Sequence, residues 1–181
     1  MYPPGHVGLT ALLFAPCMCW LRLRGRPAAA TECLGMALAL AVLPDVDKLL
    51  PGLVHRGVTH TLLAAVVAGV LVGLLFRPGA AGSPGLCGEH PTVCYLVGSL
   101  GVVAHLVGDV ITPMGIQPLF PVSRTVYSLD LVQASSPTAN LLLLAAGSVA
   151  VLSSFRVPVD AVAEPSDAEE SPAVRPLSDQ R

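Results

Sequence analysis

The sequence predicts an all-α fold: an integral membrane helical bundle of about five short transmembrane helices, with a disordered C-terminal tail. Three observations predict it. Five apolar runs are separated by short breaks marked by Gly, Pro or Arg. Charged residues make up 12% of the 181-residue chain, about half the share of an ordinary soluble domain. The mean hydropathy is +0.70.

The runs, in order, are roughly Val7–Leu21, Ala28–Leu43, Thr61–Phe76, Thr92–Ile111 and Ala139–Phe155. Most are shorter than the roughly 20 residues an untilted span needs, and the fourth reaches that length. Thr61–Phe76 shows no polar face, which argues against a core helix of a soluble bundle. Gly69, Gly73, Gly98 and Gly101 suit close helix packing in lipid. Arg22-Leu23-Arg24-Gly25-Arg26-Pro27 reads as a short basic turn, and a Gly/Pro/Ser loop runs from Arg77 to about Pro91. A longer segment, Thr112–Thr138, is punctuated by Pro113, Pro118, Pro121 and Pro137. From Val157 onward, Pro, Ser, Ala and acids dominate and aromatics are missing, the composition of a disordered segment. The expected division is therefore a membrane-embedded domain over 1–156 and an acidic tail over 157–181.

The net charge of −2 conceals a split between these parts. Residues 1–156 carry eight Lys/Arg against six Asp/Glu, and the rest carries two Arg against six acids. The body is mildly basic without a clustered basic face, so no nucleic-acid partner is expected. The five cysteines form no C-x-x-C pair and are odd in number. Those inside apolar runs read as small core hydrophobes. The start, Met1-Tyr2-Pro3-Pro4-Gly5-His6, lacks the positive flank of a signal peptide, so the first run is expected to be retained.

The positive-inside rule places the turn with Arg22, Arg24 and Arg26 in the cytoplasm of a multi-pass cell-membrane protein. Arg77 and Arg156 fall on the same side, and Lys48, Arg56 and Arg124 on the other. With five alternating spans, His6, the stretch Asp45–His60 and the end of the fourth helix all emerge on one face. This matters because the ionisable residues are concentrated there. Leu43-Pro44-Asp45-Val46-Asp47, His55-Arg56-Gly57-Val58-Thr59-His60 and His105-Leu106-Val107-Gly108-Asp109 hold three of the five histidines and three of the body's six acids. Such residues are costly beside hydrocarbon and imply a function.

His105 and Asp109, four apart, share one helix face and can bind one ion. His60 opens the third helix, with Thr59 expected as its N-cap. Arg56 is suited to an Asp or to an anionic oxygen such as phosphate. His90 falls on the opposite face and is left out of the set. Imidazole and carboxylate donors without thiolate suit zinc, manganese or iron, and an ion with open positions activates water at neutral pH.

The three motifs, together with Thr112-Pro113-Met114-Gly115 after the last, resemble the YdjM-like family of membrane-bound metal-dependent hydrolases over His6 to about Pro121. The order His, Asp, His, His-x-x-x-Asp is more distantly similar to the zinc-dependent phospholipase C and single-strand nuclease superfamily. That likeness implies that Asp45, His60, His105 and Asp109 hold one metal. It also implies that Asp109 bridges to a second ion bound by His6. No histidine follows His105 and the chain does not start with tryptophan, so at most two ions are implied. Asp47 and His55 have no counterpart there and are supporting or catalytic candidates with Arg56.

The expected function is metal-dependent hydrolysis of a phosphoester, with a lipid headgroup among the candidate substrates. The alternative is a non-enzymatic metal-binding scaffold or regulator that recruits a partner through its tail. A transporter would place ionisable residues along the membrane depth, and these cluster at one end. The bilayer is the expected partner, and the sequence sets neither substrate nor oligomeric state.

Overall fold

In the computed structural model the described residues are 1–76 and 91–159. They form five α-helices: α1 (Pro3–Leu23), α2 (Pro27–Leu40), α3 (Leu62–Leu75), α4 (Pro91–Val110) and α5 (Pro137–Phe155). Two 3-10 segments, Leu43–Leu49 and Val58–His60, lie between α2 and α3. No strand forms among the described residues; one isolated antiparallel bridge joins Ile116 to Tyr127. The Gly/Pro/Ser stretch, Cys87, His90 and the tail from residue 160 lie outside the described residues.

Proline marks the helix starts. It occupies the first turn of α1, α2 and α5, where its missing N–H has no intrahelical partner to lose. Ser136 caps α5 by accepting from the Ala139 amide at 3.3 Å. The cap of α3 is Thr61, which accepts from the Ala64 amide at 3.0 Å. Thr59, expected there, is displaced from the helix by the 3-10 turn Val58–His60.

Four segments are long and apolar enough to cross a membrane: Pro3–Leu23, Pro27–Leu49, Thr92–Val110 and Pro137–Phe155. The helix Leu62–Leu75 is shorter. Polarity runs inside-out. Leu71, Leu74, Leu141, Leu142 and Leu152 are exposed, whereas His6, His60, His105 and Asp109 are buried. In lipid the outward leucines are in their preferred solvent, and the interior must satisfy the polar groups.

Helix α4 packs against α1, α2 and α3, and α5 lies along α1. Glycines permit both close approaches. A Cβ on Gly98 of α4 would lie 2.9 Å from the Gly69 Cα of α3. On the other side, Gly147 of α5 abuts Gly8 of α1, where a Cβ would meet the Gly8 carbonyl carbon at 2.9 Å. Cys33 and Cys94 are buried in the core between these helices, as small apolar groups are. The segment after α4 folds back over that helix's end. The Leu129 amide donates to the Val110 carbonyl at 2.8 Å and the Leu131 amide to Ile111 at 2.9 Å, satisfying C-terminal carbonyls.

Candidate metal centre

The helices deliver their ionisable residues to one end of the bundle. His6 comes from the first turns of α1, Asp45 and Asp47 from the 3-10 segment after α2, His60 from the turn before α3, and His105 and Asp109 from the end of α4. His6, His60, His105 and Asp109 are all no more than 1% exposed. Asp45 is 11% and His55 31% exposed, so the cluster meets the outside on that side.

Hydrogen bonds set the orientation of the two central imidazoles. His105 Nδ1 donates to the Ala41 carbonyl at 2.6 Å, which leaves Nε2 with a lone pair. His60 Nδ1 donates to the Thr59 hydroxyl at 2.9 Å, and that hydroxyl donates to Asp47 Oδ2 at 2.8 Å. Burial pushes the His60 imidazole below its ordinary value, against the opposing effect of Asp45. In the neutral ring, with Nδ1 carrying the proton, Nε2 has the lone pair. The two Nε2 atoms face each other at 3.1 Å. With both rings neutral, two lone pairs at that distance repel unless a proton or a metal ion lies between them.

Two carboxylate oxygens complete the set. Asp45 Oδ1 is 3.6 Å from His60 Nε2 and 3.8 Å from His105 Nε2. Asp109 Oδ2 is 3.4 Å and 3.5 Å from the same atoms. Ligands about 2.0–2.1 Å from a tetrahedral ion lie about 3.3 Å apart; these separations approach that spacing, and Asp45, His60 and His105 form one group that could hold an ion. Asp109 Oδ2 is buried without a hydrogen-bond partner among the described residues. An acceptor so placed is open to a cation or a hydrogen-bond donor. The cluster can hold a metal ion, and no thiolate takes part.

The other oxygen of Asp109 is already neutralised. Oδ1 accepts from Arg56 Nη2 at 2.7 Å and from the Met1 amine at 2.5 Å, and lies 3.4 Å from His6 Nε2. His6 stacks on His105 with ring centroids 3.8 Å apart. His6, His105 and Asp109 make a second group with ligand-like spacing. A second ion there would face the Arg56 guanidinium and the Met1 ammonium across one oxygen.

Arg56 is locked from several directions. Its Nη1 donates to Thr112 Oγ1 at 3.1 Å and to the Gly115 carbonyl at 2.9 Å. Its backbone adopts φ 63, a region costly for a side-chain-bearing residue, and its amide donates to Asp47 Oδ2 at 3.3 Å. Thr112 and Gly115, not assigned roles from the sequence, therefore hold the guanidinium on Asp109. The readable signal was a Thr three residues after Asp109, in the right place to close the helix end. His55 is held by Asp47, with Nδ1 donating to Oδ1 at 3.0 Å. Lys48, also missed, pairs with Asp45 at 3.0 Å while remaining 43% exposed.

A family described as YdjM inner membrane protein matches residues 1–163 of the 181 in the chain. The chain belongs to that family. With its four membrane-length helices it is a multi-pass membrane protein. No curated protein and no solved structure matches the chain.

Proposed function

We propose that this member of the YdjM family is a membrane-embedded metal-dependent hydrolase of phosphoesters, working at headgroup depth. The observation that carries the reading is the orphaned Asp109 Oδ2 facing two imidazole nitrogens that both present lone pairs. His60, His105, Asp45 and Asp109 would hold a single divalent ion; the N/O donor set suits zinc, manganese or iron. When bound, that ion supplies Lewis-acid stabilisation of charge and lowers the pKa of water.

The remaining roles belong to the chain itself. Asp47 holds Nδ1 of His55, so His55 Nε2 is the nitrogen that takes a proton from water at the open side. Asp47 also steadies His60 through Thr59. Lys48 is the cation at the mouth and draws in an anionic substrate. Arg56 fixes Asp109 rather than the phosphate, since its Nη groups are all directed inward. The order His, Asp, His, His-x-x-x-Asp resembles that of the zinc-dependent phospholipase C superfamily, and that resemblance is what suggests phosphoester chemistry.

A second reading has its own support. Four protein donors around one ion make a closed shell, which is the habit of structural sites. In that case the ion clamps a non-enzymatic scaffold. Catalysis requires Asp45, the most exposed of the four donors, to yield its position or the coordination to expand. Protein purified in detergent should contain about one divalent ion per chain and cleave a chromogenic phosphodiester or phospholipid. His105→Ala should lose both. Metal-loaded wild type that turns over neither substrate class would leave the clamp as the function.

A further inference from the structure

Along α1, α2 and α4, from the basic turn at Arg26 to Ala104 and Val107 beside the His/Asp cluster, runs a groove of about 600 Å³. Leu13, Leu21, Cys33, Leu100 and Val107 line its length, and Arg26 stands at its mouth. We propose that this groove binds one anionic phospholipid, with an acyl chain along α4 and the phosphate on the basic turn.

The position of the groove decides the class of occupant. Its walls are parts of three segments with membrane-spanning length and apolarity, so the surrounding solvent is lipid. Its lining on α4 runs from Val93 to Val107, which is about 21 Å of helix, the scale of an extended acyl chain. Volumes of about 300–1,000 Å³ are those of small-ligand sites.

Charge decides the headgroup. Arg24 and Arg26 are both exposed at the turn between α1 and α2. Arg24 stacks over the Trp20 ring at 5.1 Å, and Trp20 is itself on the groove wall. Aromatic and basic side chains together are the usual anchors at headgroup level, and basic pockets between helices take anionic lipids. Arg22 is engaged elsewhere, donating to the Phe155 carbonyl at 3.0 Å.

The lipid is not the substrate of the proposed reaction. His6 and the end of α1 at Leu23 are separated by about 26 Å along the helix, so a phosphate on Arg26 is a membrane's width from the metal centre. The centre opens instead beside Asp45 and His55. This inference therefore stands apart from the hydrolase reading.

Trp20 is the chain's one tryptophan, and its fluorescence reads occupancy of the groove. The full-length protein is reconstituted in phosphatidylcholine vesicles. Phosphatidylglycerol with brominated acyl chains is then titrated in, in parallel with brominated phosphatidylcholine. The anionic lipid should reach half-maximal quenching at about a tenfold lower mole fraction, given two arginines near the surface. Arg26→Gln, which leaves the Arg24–Trp20 stack intact, should lower that preference. Arg24→Gln combined with Arg26→Gln should abolish it, whereas His105→Ala should leave it unchanged. Leu100→Phe, which fills the groove from an exposed position, should remove the saturable phase. Equal quenching by the two lipids, or a preference surviving the double substitution, overturns the proposal. So does a detergent-solubilised dimer that Leu100→Phe dissociates, because the groove would then hold a second copy of the chain.

Discussion

Asp47 donates nothing to the ring of four around the candidate ion, yet it orients residues on two sides of it. Its Oδ1 holds His55, and its Oδ2 reaches His60 through the Thr59 hydroxyl. Carboxylates in that position fix the tautomer of a ligating imidazole and raise its basicity. Asp47→Ala should therefore weaken metal binding by about 10–100-fold, measured as retention against a competing chelator. His55→Ala should leave retention unchanged while reducing phosphodiester turnover by about 10²–10⁴-fold, the contribution of a positioned acid–base group. If His55→Ala instead released the metal, His55 would be a ligand and the assignment of roles would be wrong. At this scale the sequence was partly legible. The i, i+4 spacing of His105 and Asp109 put both on one helix face, and the structure gathers the other candidates around them. The fixing of His105 by the Ala41 carbonyl was not legible, because a backbone oxygen leaves no mark on residue identity. The same holds for Arg56, whose inward fork depends on the loop geometry of Thr112 and Gly115 rather than on its own motif.

Between helices, the spacing of donors is set by glycine. His60 precedes α3 and His105 rides on α4, so the distance between their Nε2 atoms follows the distance between those helices. Gly98 and Gly69 keep it short. A Cβ on Gly98 would also lie 2.9 Å from the Val72 Cβ. Gly98→Val should force the pair apart, costing about 1–3 kcal/mol as an overpacked contact, and should lower metal retention as well. Gly35 on α2 provides the comparison, since a Cβ there meets nothing within 4 Å. Gly35→Ala should be neutral or stabilising by up to about 1 kcal/mol in a denaturant titration in detergent, with metal retention unchanged. Equal effects at the two positions would remove the argument from helix spacing. Run lengths and the glycines of α3 and α4 could be read from hydropathy and composition. The Gly8–Gly147 contact could not, because pairing α1 with α5 is a long-range choice that no local pattern records. The misplaced cap has a similar cause: a 3-10 turn, invisible to apolar periodicity, lies between Thr59 and the helix that Thr61 caps.

Across the whole molecule, the four candidate donors come from segments that the membrane alone would not hold in register. Asp45 follows α2, His60 precedes α3, and His105 and Asp109 belong to α4. The buried Asp109, the partly exposed Asp45 and the two facing imidazole nitrogens oppose the approach of these helices, an opposition that Arg56, the Met1 amine and Lys48 offset in part. An ion bound to the folded state alone would relieve that opposition. At a free concentration 1,000 times its dissociation constant it would stabilise the fold by about 4.1 kcal/mol. Chelation should accordingly lower the thermal midpoint of the wild type in detergent, and readdition of zinc or manganese should restore it. His105→Ala, which removes a donor and one of the facing lone pairs, should show a midpoint insensitive to both treatments. The two readings of the centre share this prediction, and they part on Asp45→Asn. Losing the outermost donor from a structural clamp lowers ion retention and the midpoint together, with no turnover before or after. In an enzyme the same change opens a coordination position to water, so turnover should persist while retention of the ion falls. Because Asp45 is the donor nearest the outside, that single variant separates a closed shell from a working one.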